Sequence, residues 1–212
     1  MPRTITFLFC RPPMVAGLLL LTACVALRAQ TGSSGSEKEA FDVCDGTYAL
    51  CTSAKCSSSY SCTCDVVYKP TEPNYSVGSH QKDGKPCAGV TREAPTAGKE
   101  IRSRYYPIKG YATCTNDRPW AMCLNDKCTV FSEEHNGKQV FKAQCACEAP
   151  PKESPSTPYV FATDSAPPAN ACTTGTISSA TIIDVNEITL FLNSSKQLHP
   201  SLPFKVWPAA PK

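Results

Sequence analysis

The sequence lacks any apolar stretch long enough to cross a membrane as a helix. Its longest one, residues 15–27, has thirteen residues, whereas a spanning helix needs about 20. Arg3 and Arg11 precede this stretch, and Arg28-Ala29-Gln30 follows it. This order is typical of an export signal, so we predict a signal peptide over residues 1–29 and no transmembrane segment.

The sequence also lacks a strong excess of either charge. It has 21 Lys and Arg against 18 Asp and Glu, which gives a net charge of +3 over 212 residues. Chains that bind nucleic acids or anionic membrane surfaces through charge are far more basic. We therefore predict no nucleic-acid partner.

Motifs that hold metals, haem or catalytic groups are missing too. Two Cys-x-Cys pairs could suggest a metal site, but the sequence has no Cys-x-x-Cys pair. None of its three histidines, His80, His135 and His199, stands at ligand spacing from a cysteine pair. No Cys-x-x-Cys-His, Gly-x-Ser-x-Gly or zinc-protease helix occurs. We predict no metal, no cofactor and no catalytic residue.

Cysteine and proline are abundant instead. The chain has 14 Cys and 19 Pro, and 42% of its residues are hydrophobic. It is too rich in cysteine for an ordinary cytosolic protein and too apolar to be disordered throughout. Cys10 and Cys24 lie in the predicted leader, so 14 minus 2 leaves twelve cysteines. We expect these twelve to form six disulfides.

The twelve cysteines form two groups of six, over residues 44–87 and 114–172. The successive gaps are 6, 4, 5, 1 and 22 residues in the first group and 8, 4, 16, 1 and 24 in the second. We predict a tandem repeat of a six-cysteine unit and leave open which of the 15 pairings each unit uses. The predicted disulfide cysteines are Cys44, Cys51, Cys56, Cys62, Cys64 and Cys87 in the first group and Cys114, Cys123, Cys128, Cys145, Cys147 and Cys172 in the second.

The gaps of 6, 4, 5 and 1 resemble those of EGF-like modules, in which the third to fifth cysteines also frame a hairpin. The last gaps of 22 and 24 residues are longer than is usual for that family, and its Gly-aromatic signature is absent. The sequence is therefore not assigned to the family, and no disulfide pairing is carried over from it.

The third gap predicts a β-hairpin in each group. In the second group two runs of strand-forming residues flank Asn136-Gly137, a strong turn signal. In the first group the five residues 57–61 would be the same hairpin cut short. The two cysteines of each Cys-x-Cys should face one side of the returning strand, because strand side chains alternate.

Residues near the cysteines recur in both groups. Tyr48 and Trp120 each begin an aromatic-Ala-aliphatic-Cys element, and we predict that both rings pack in the core. Lys55 and Lys127 each precede the third cysteine and are expected on solvated strand positions. Asp65 and Glu148 follow the Cys-x-Cys pairs, and we expect them to pair with these lysines across the hairpin.

The remaining segments differ in composition. Asp184 to Glu187 match a capping box ahead of apolar residues at helical spacing, which predicts a helix of about ten residues packed on the second unit. The fold class is thus small, disulfide-rich and mainly β, with two tandem six-cysteine β-hairpin repeats and a short C-terminal helix. The predicted organisation is a signal peptide (1–29), a flexible linker (30–40), cysteine repeat 1 (41–90), a polar, solvated linker (91–104), cysteine repeat 2 (105–175), a C-terminal helix region (176–198) and a mobile Pro-rich tail (199–212).

The leader allows two modes of export. A cut after Ala29 would release the chain as a secreted protein. Alternatively, Leu21-Thr22-Ala23-Cys24 resembles the lipobox of bacterial lipoproteins, in which Cys24 would be lipidated and would anchor the protein to the cell envelope. Both readings predict an extracytoplasmic location.

A unit of 44 residues, such as 44–87, cannot build a large core, so disulfides would hold the scaffold and leave its loops free to bind. We predict an interaction module without catalytic activity, whose partner is an unknown extracytoplasmic protein or glycan. Two alternatives stay open. One is a two-headed protease inhibitor acting through Lys55 and Lys127, and the other is an uncharacterised enzyme.

Overall fold

The regular structure of the chain is almost entirely β-strand. The structure, a computed structural model, describes residues 41–79, 85–105, 110–115, 118–150, 158–163, 170–173, 175–194 and 205–207. The mainly β fold with one short helix is confirmed. In chain order the elements are β1 Phe41–Asp45, β2 Tyr48–Cys56, β3 Ser61–Val67, β4 Tyr75–Ser79, β5 Glu100–Arg104, β6 Gly110–Cys114, β7 Trp120–Ala121, β8 Lys127–His135, β9 Lys138–Ala146, β10 Tyr159–Thr163, β11 Thr176–Ser178, β12 Ala180–Thr181, α1 Ile182–Ser194 and β13 Lys205–Trp207.

Five of these strands pair into a closed sheet. β2 pairs with β3, β3 with β9, β9 with β8, β8 with β5, and β5 returns to β2. The β5–β2 pairing is parallel and the other four are antiparallel. Closure gives each strand two neighbours along its paired length, which satisfies the backbone hydrogen-bonding groups there. β11 and β7 extend the sheet beyond β2.

β5 lies inside the segment 91–104, which the sequence analysis expects as a solvated linker. Buried and exposed residues do not alternate along β5 as they do in a surface strand: Ile101, Ser103 and Arg104 are all buried. The strand pairs with one strand from each cysteine group. Residues 100–104 of the connection are therefore part of the closed sheet, whereas most of residues 91–99 are exposed.

The interior of the closed sheet is filled by small side chains and sulfur atoms. A ring of five strands encloses less space than the eight-stranded rings whose interiors side chains just fill. Ala49, Ala121 and Ala143 are completely buried there, together with Ile101 and Val130. Apart from Ala54, the other buried residues of this core are half-cystines: Cys51, Cys62, Cys64, Cys123, Cys128 and Cys145.

A buried ion pair joins the closed sheet to the two-stranded sheet of β1 and β4. The side chain of Arg104 on β5 is 1% exposed, and its guanidinium contacts the carboxylate of Asp42 on β1. The guanidinium also donates to Ser76 Oγ at 2.8 Å. Gly78 leaves room for this group, because a Cβ there would lie 2.5 Å from Arg104 Nη1.

The helix packs on a third sheet, made of β12, β10, β6 and β13. Ile188 and Leu192 are buried, and Val185 and Phe191 are partly buried against the same cluster. The Phe191 ring also lies 5.7 Å from the ring of Phe41. α1 therefore contacts β1 of the first cysteine group as well as the second group, on which the sequence analysis expects it to pack.

α1 starts two residues before Asp184, the residue that the sequence analysis takes as its cap. The capping box is formed instead by Thr181 and Asp184. Asp184 N–H donates to Thr181 Oγ1 at 3.1 Å, and Thr181 N–H donates to the Asp184 carboxylate at 3.0 Å. This reciprocal pair satisfies two of the amide donors that the first turn of a helix leaves open.

Several predicted segments fall outside the described residues. These are the signal peptide (1–29) with Cys24, the flexible linker (30–40), and the residues His80 and His199. The structure describes three residues of the tail, Lys205–Trp207, which pair in parallel with β6. These residues are therefore held in a sheet, whereas the sequence predicts a mobile chain there. No helix within the described ranges is long and apolar enough to cross a membrane.

Candidate functional site

Six disulfides link the twelve predicted cysteines, and the pairing order is the same in both groups. In each group the first cysteine pairs with the sixth, the second with the fifth and the third with the fourth. Matching bridges have equal Cα–Cα distances, which are 5.5, 4.7 and 4.0 Å in that order. The pairs are Cys44–Cys87, Cys51–Cys64 and Cys56–Cys62, then Cys114–Cys172, Cys123–Cys147 and Cys128–Cys145.

The strand register explains the innermost bridges. Cys56 stands opposite Cys62 on neighbouring strands, and Cys128 stands opposite Cys145. Facing residues of a non-hydrogen-bonded antiparallel pair have the closest Cα atoms, at about 4.5 Å, which suits a short cross-strand bridge. In β3, Cys62 and Cys64 are buried while Thr63 between them is exposed, so the expected common face of the first Cys-x-Cys is confirmed.

Bridges from different groups pack on one another inside the closed sheet. Cys51 Sγ lies 3.4 Å from Cys145 Sγ. On the other side, the sulfur atoms of Cys56, Cys62 and Cys123 lie within 4.8 Å of one another. All of these sulfurs belong to disulfides, so none of them is the thiolate that a metal would require.

Peptide mapping can check this framework directly. We expect the mature protein, denatured but not reduced, to release six linked cysteine pairs in the nested order and to show no titratable thiol. The reason is that the third and fourth cysteines of each group stand opposite each other in the strand register, which reshuffling would disrupt. A bridge joining residues 44–87 to residues 114–172 would contradict the structure.

The candidate site begins with a hairpin that projects beyond the closed sheet. We call residues 131–141 the arm. Its strands pair in full register from Phe131↔Lys142 to His135↔Lys138. Asn136 and Gly137 have φ of 52° and 72°, as a type I′ turn requires, so the predicted hairpin and its turn are confirmed. Residues 132–139 are all exposed, so the outer part of the arm contributes nothing to the core.

The arm borders a groove of about 580 Å³, which we call the mouth groove. The groove lies where β3 leaves β9 and where the chain enters β5. Tyr68 is 36% exposed, so an aromatic side chain is accessible at the groove. The lining combines apolar and charged side chains from three segments: Asp65, Val66 and Tyr68; Ala94 and Pro95; and Glu133, His135, Val140, Phe141 and Lys142.

The charges in the mouth groove are linked. Lys142 Nζ donates to the Asp65 carboxylate, and the two residues face each other across β9 and β3. This hydrogen bond raises the pKa of Lys142, and the charges of Asp65 and Glu133 raise it further. The expected pairing of Asp65 with Lys55 is not what the structure shows. The lysine Lys142 faces two carboxylates, Asp65 and Glu133, so these three side chains carry a net negative charge.

The other residues that recur near the cysteines of both groups lie away from the mouth groove. Tyr48 and Trp120 are buried, as predicted, and Trp120 stacks on Tyr159 at a centroid distance of 6.0 Å. Lys55 lies in β2, which pairs on both sides there. Lys127 is exposed and lies 3.7 Å from Glu100, so its ion pair is with β5 and not with Glu148.

Most residues of the mouth groove carry no signal in the sequence. Tyr68, Pro95 and Phe141 come from segments that are far apart in the sequence and carry no shared motif. One signal could have led to the arm, namely the difference between the third gaps of five and 16 residues. A hairpin that is longer than the scaffold needs is a candidate for binding.

These features define a class: a mainly β protein with a cystine core and one projecting hairpin. Comparisons with known protein families, with curated proteins and with solved structures found no match.

Proposed function

We propose that the chain is a tandem duplication of a six-cysteine unit, with the two units related by an approximate twofold axis. The disulfides follow the same nested order in both groups, which supports a duplication. It is supported as well by the register of β3 and β9, in which Cys62, the fourth cysteine of one group, faces Cys145, the fourth of the other. A twofold contact is self-complementary: if residue i contacts j, the equivalent of j contacts the equivalent of i.

The contacts between bridges follow this rule. The second–fifth bridge of the first group, Cys51–Cys64, lies against the third–fourth bridge of the second group. Reciprocally, Cys123 of the second–fifth bridge of the second group lies against the third–fourth bridge, Cys56–Cys62, of the first group. Each unit thus completes the core of the other, which explains why a 44-residue unit can do without a large core of its own.

We propose further that the protein is an extracytoplasmic interaction module without catalytic activity. Six disulfides are compatible with an oxidising compartment, and the apolar leader supports export, with Cys24 as the residue for a lipid anchor if the lipobox is used. The partner would be an extracytoplasmic protein or a glycan. Net charge gives no support to a nucleic-acid partner.

The arm is the observation that carries this proposal. Its outer residues are exposed and leave strand edges open, and open edges invite unwanted pairing. The first group closes the equivalent hairpin with the short tip Ser57–Tyr60 and still forms its three bridges. The scaffold therefore does not need the arm, and binding is the role that its shape and its groove support.

The geometry does not favour the protease-inhibitor alternative. An inhibitory residue must sit on a projecting loop that enters the protease cleft, whereas Lys55 and Lys127 both lie within paired strands. No specific observation favours an enzyme, and the absence of catalytic activity stays a prediction.

Shortening the arm tests the proposal. Deleting Glu133, Glu134, Gln139 and Val140 keeps the Asn136-Gly137 turn, the cross-strand register and the alternation of faces. We expect the free energy of unfolding to change by about 1 kcal/mol or less, because Glu133, Glu134 and Gln139 are exposed and Val140 is only partly buried. Binding to the natural partner, captured from the cell envelope of the source organism, should be lost.

The matched control changes the other hairpin tip, with Ser58→Ala and Ser59→Ala, and should bind like the unaltered protein. Thermal unfolding of all three proteins would be compared first. If the shortened arm bound its partner as well as the control does, the arm would not be the binding element. If the shortened protein failed to fold, the arm would be part of the scaffold.

A further inference from the structure

The backbone of the arm has open hydrogen-bonding positions on the side of the mouth groove. Within the described residues, the pairing of β3 with β9 stops at Asp65↔Lys142, and the pairing of β5 with β8 stops at Glu100↔Thr129. After Val130, whose N–H and C=O bond to Lys99 and Gly98, each arm strand pairs only with the other in the part of the chain that the structure describes. The two arm strands therefore leave two outer edges open.

The hairpin register identifies the open groups. A two-residue turn makes His135 and Lys138 a hydrogen-bonded pair, so alternate residues along each strand direct their N–H and C=O outwards. Val130 agrees with this assignment, because its N–H and C=O bond to Lys99 and Gly98 outside the hairpin. The same alternation assigns the outward groups to Ser132 and Glu134 on β8, and to Gln139 and Phe141 on β9.

The β9 edge also borders suitable side chains. Val140 and Phe141 line the mouth groove from the arm, while Val66 and Tyr68 line it from the end of β3. An extended chain laid along the β9 edge would point alternate side chains to opposite sides, so that one set can contact Tyr68 or Val140. A glycan could stack on Tyr68, but it could not satisfy a repeating row of backbone donors and acceptors.

The charges that line the mouth groove favour an extended chain that carries a basic side chain. Lys142 already bonds to Asp65, and Glu133 stands near the same lysine without a salt bridge of its own among the described residues. A basic side chain on the bound segment would balance Glu133. A second copy of this protein fits less well, because the antiparallel register that uses both Gln139 and Phe141 places Lys138 opposite Lys142 of the second copy.

From these observations we infer that the arm binds an extended polypeptide segment of another protein, which adds as a strand to the β9 edge. The segment carries apolar side chains towards Tyr68 and Val140 and a Lys or Arg towards Glu133. This inference rests on the proposed interaction function and names the chemistry of its partner.

A pair of proline variants tests the inference. Gln139→Pro removes an outward N–H from the β9 edge, and Ser132→Pro removes the equivalent N–H from the β8 edge; both positions tolerate proline because their N–H groups do not hold the hairpin together. A displayed library of random linear peptides serves as the probe. Peptides selected on the unaltered protein should bind Gln139→Pro about tenfold more weakly and Ser132→Pro with little change.

A charge pair gives a second readout. Glu133→Gln should weaken the selected peptides that contain Lys or Arg and reduce their sensitivity to salt, whereas Glu134→Gln, on the opposite face of the hairpin, should not. Thermal unfolding and the amide spectrum of the hairpin would establish that all four variants fold.

The outcomes separate this inference from the proposed function. Equal effects of the two proline variants, or enriched peptides without basic residues, would overturn the strand-addition inference. Binding to a glycan array and to no peptide would also overturn it, yet would leave the interaction module intact. If the shortened arm described above still bound the natural partner, the proposal that the arm is the binding element would fail as well.

Discussion

Full reduction of the six disulfides should unfold the closed sheet and α1 together. The interior of the closed sheet is built from cystine, and the few aliphatic side chains beside it, such as Ile101 and Val130, cannot fill the space alone. α1 contains no cysteine, but its apolar face can be buried only against a folded sheet. A helix of 13 residues is marginal by itself in water.

The measurement is circular dichroism before and after reduction without denaturant. We expect both the strand and the helix signals to be lost. A helix signal that survived full reduction would show that a core persists without the bridges, and the disulfides would then be secondary to apolar packing.

Removing single bridges should reveal which part of their effect comes from packing. In the chain-entropy model the Cys44–Cys87 bridge, with a separation of 43 residues, contributes about 4 kcal/mol, and the Cys51–Cys64 bridge, with a separation of 13, about 3 kcal/mol. Packing predicts the reverse order, because both Cys51 and Cys64 are buried in the core whereas Cys87 is partly exposed.

We expect packing to dominate, so that Cys51→Ala with Cys64→Ala costs more than Cys44→Ala with Cys87→Ala. Denaturant unfolding of the two double variants measures the difference. The opposite order would mean that the bridges act mainly on the unfolded chain.

Local features of the fold could be predicted because they depend on neighbouring residues. The Asn136-Gly137 turn and the common face of Cys62 and Cys64 both follow from short-range patterns. The helix follows from a local pattern too, but its predicted start is wrong. Asp184 can be either the N-cap residue of a capping box or the residue three positions after the N-cap. The hydrogen bond from Asp184 N–H to Thr181 Oγ1 shows that Thr181 is the N-cap.

Closure of the sheet could not be predicted because it depends on partners distant in the sequence. The sequence of β5, Glu-Ile-Arg-Ser-Arg, has the composition of a solvated linker. It is buried because Asp42, 62 residues earlier, neutralises Arg104. The mouth groove could not be predicted for the same reason, because closure of the sheet brings together Tyr68, Pro95 and Phe141 from three distant segments.

Breaking the Arg104–Asp42 pair should be among the most destabilising single changes in the protein. Burial lowers the pKa of the Arg104 guanidinium, and the hydrogen bond and charge of Asp42 offset this effect in part. Asp42→Asn would leave the buried cation without its counter-charge. Removing one member of a buried ion pair typically costs about 3–5 kcal/mol, so we expect a loss of that size in denaturant unfolding.

The pair of Arg92 and Asp45, in which the arginine is exposed, provides the matched control. Arg92 has a side-chain exposure of 67%, and it pairs with the residue that ends the same strand, β1. Solvent screens such a pair, so Arg92→Met should cost no more than about 1 kcal/mol. A similar small loss for Asp42→Asn would mean that water reaches Arg104 in solution and that the β1–β4 sheet is held in another way.

A double variant separates the charge from the packing. Arg104→Met combined with Asp42→Leu replaces both charges with apolar groups, and such replacements of buried pairs are often neutral or stabilising. We therefore expect the double variant to be more stable than Asp42→Asn alone. If it lost as much as the single variant, hydrogen bonds would outweigh charge: those from Arg104 to Ser76 and to the Asp42 carbonyl, and the one that the Asp42 carboxylate accepts from Cys87 N–H.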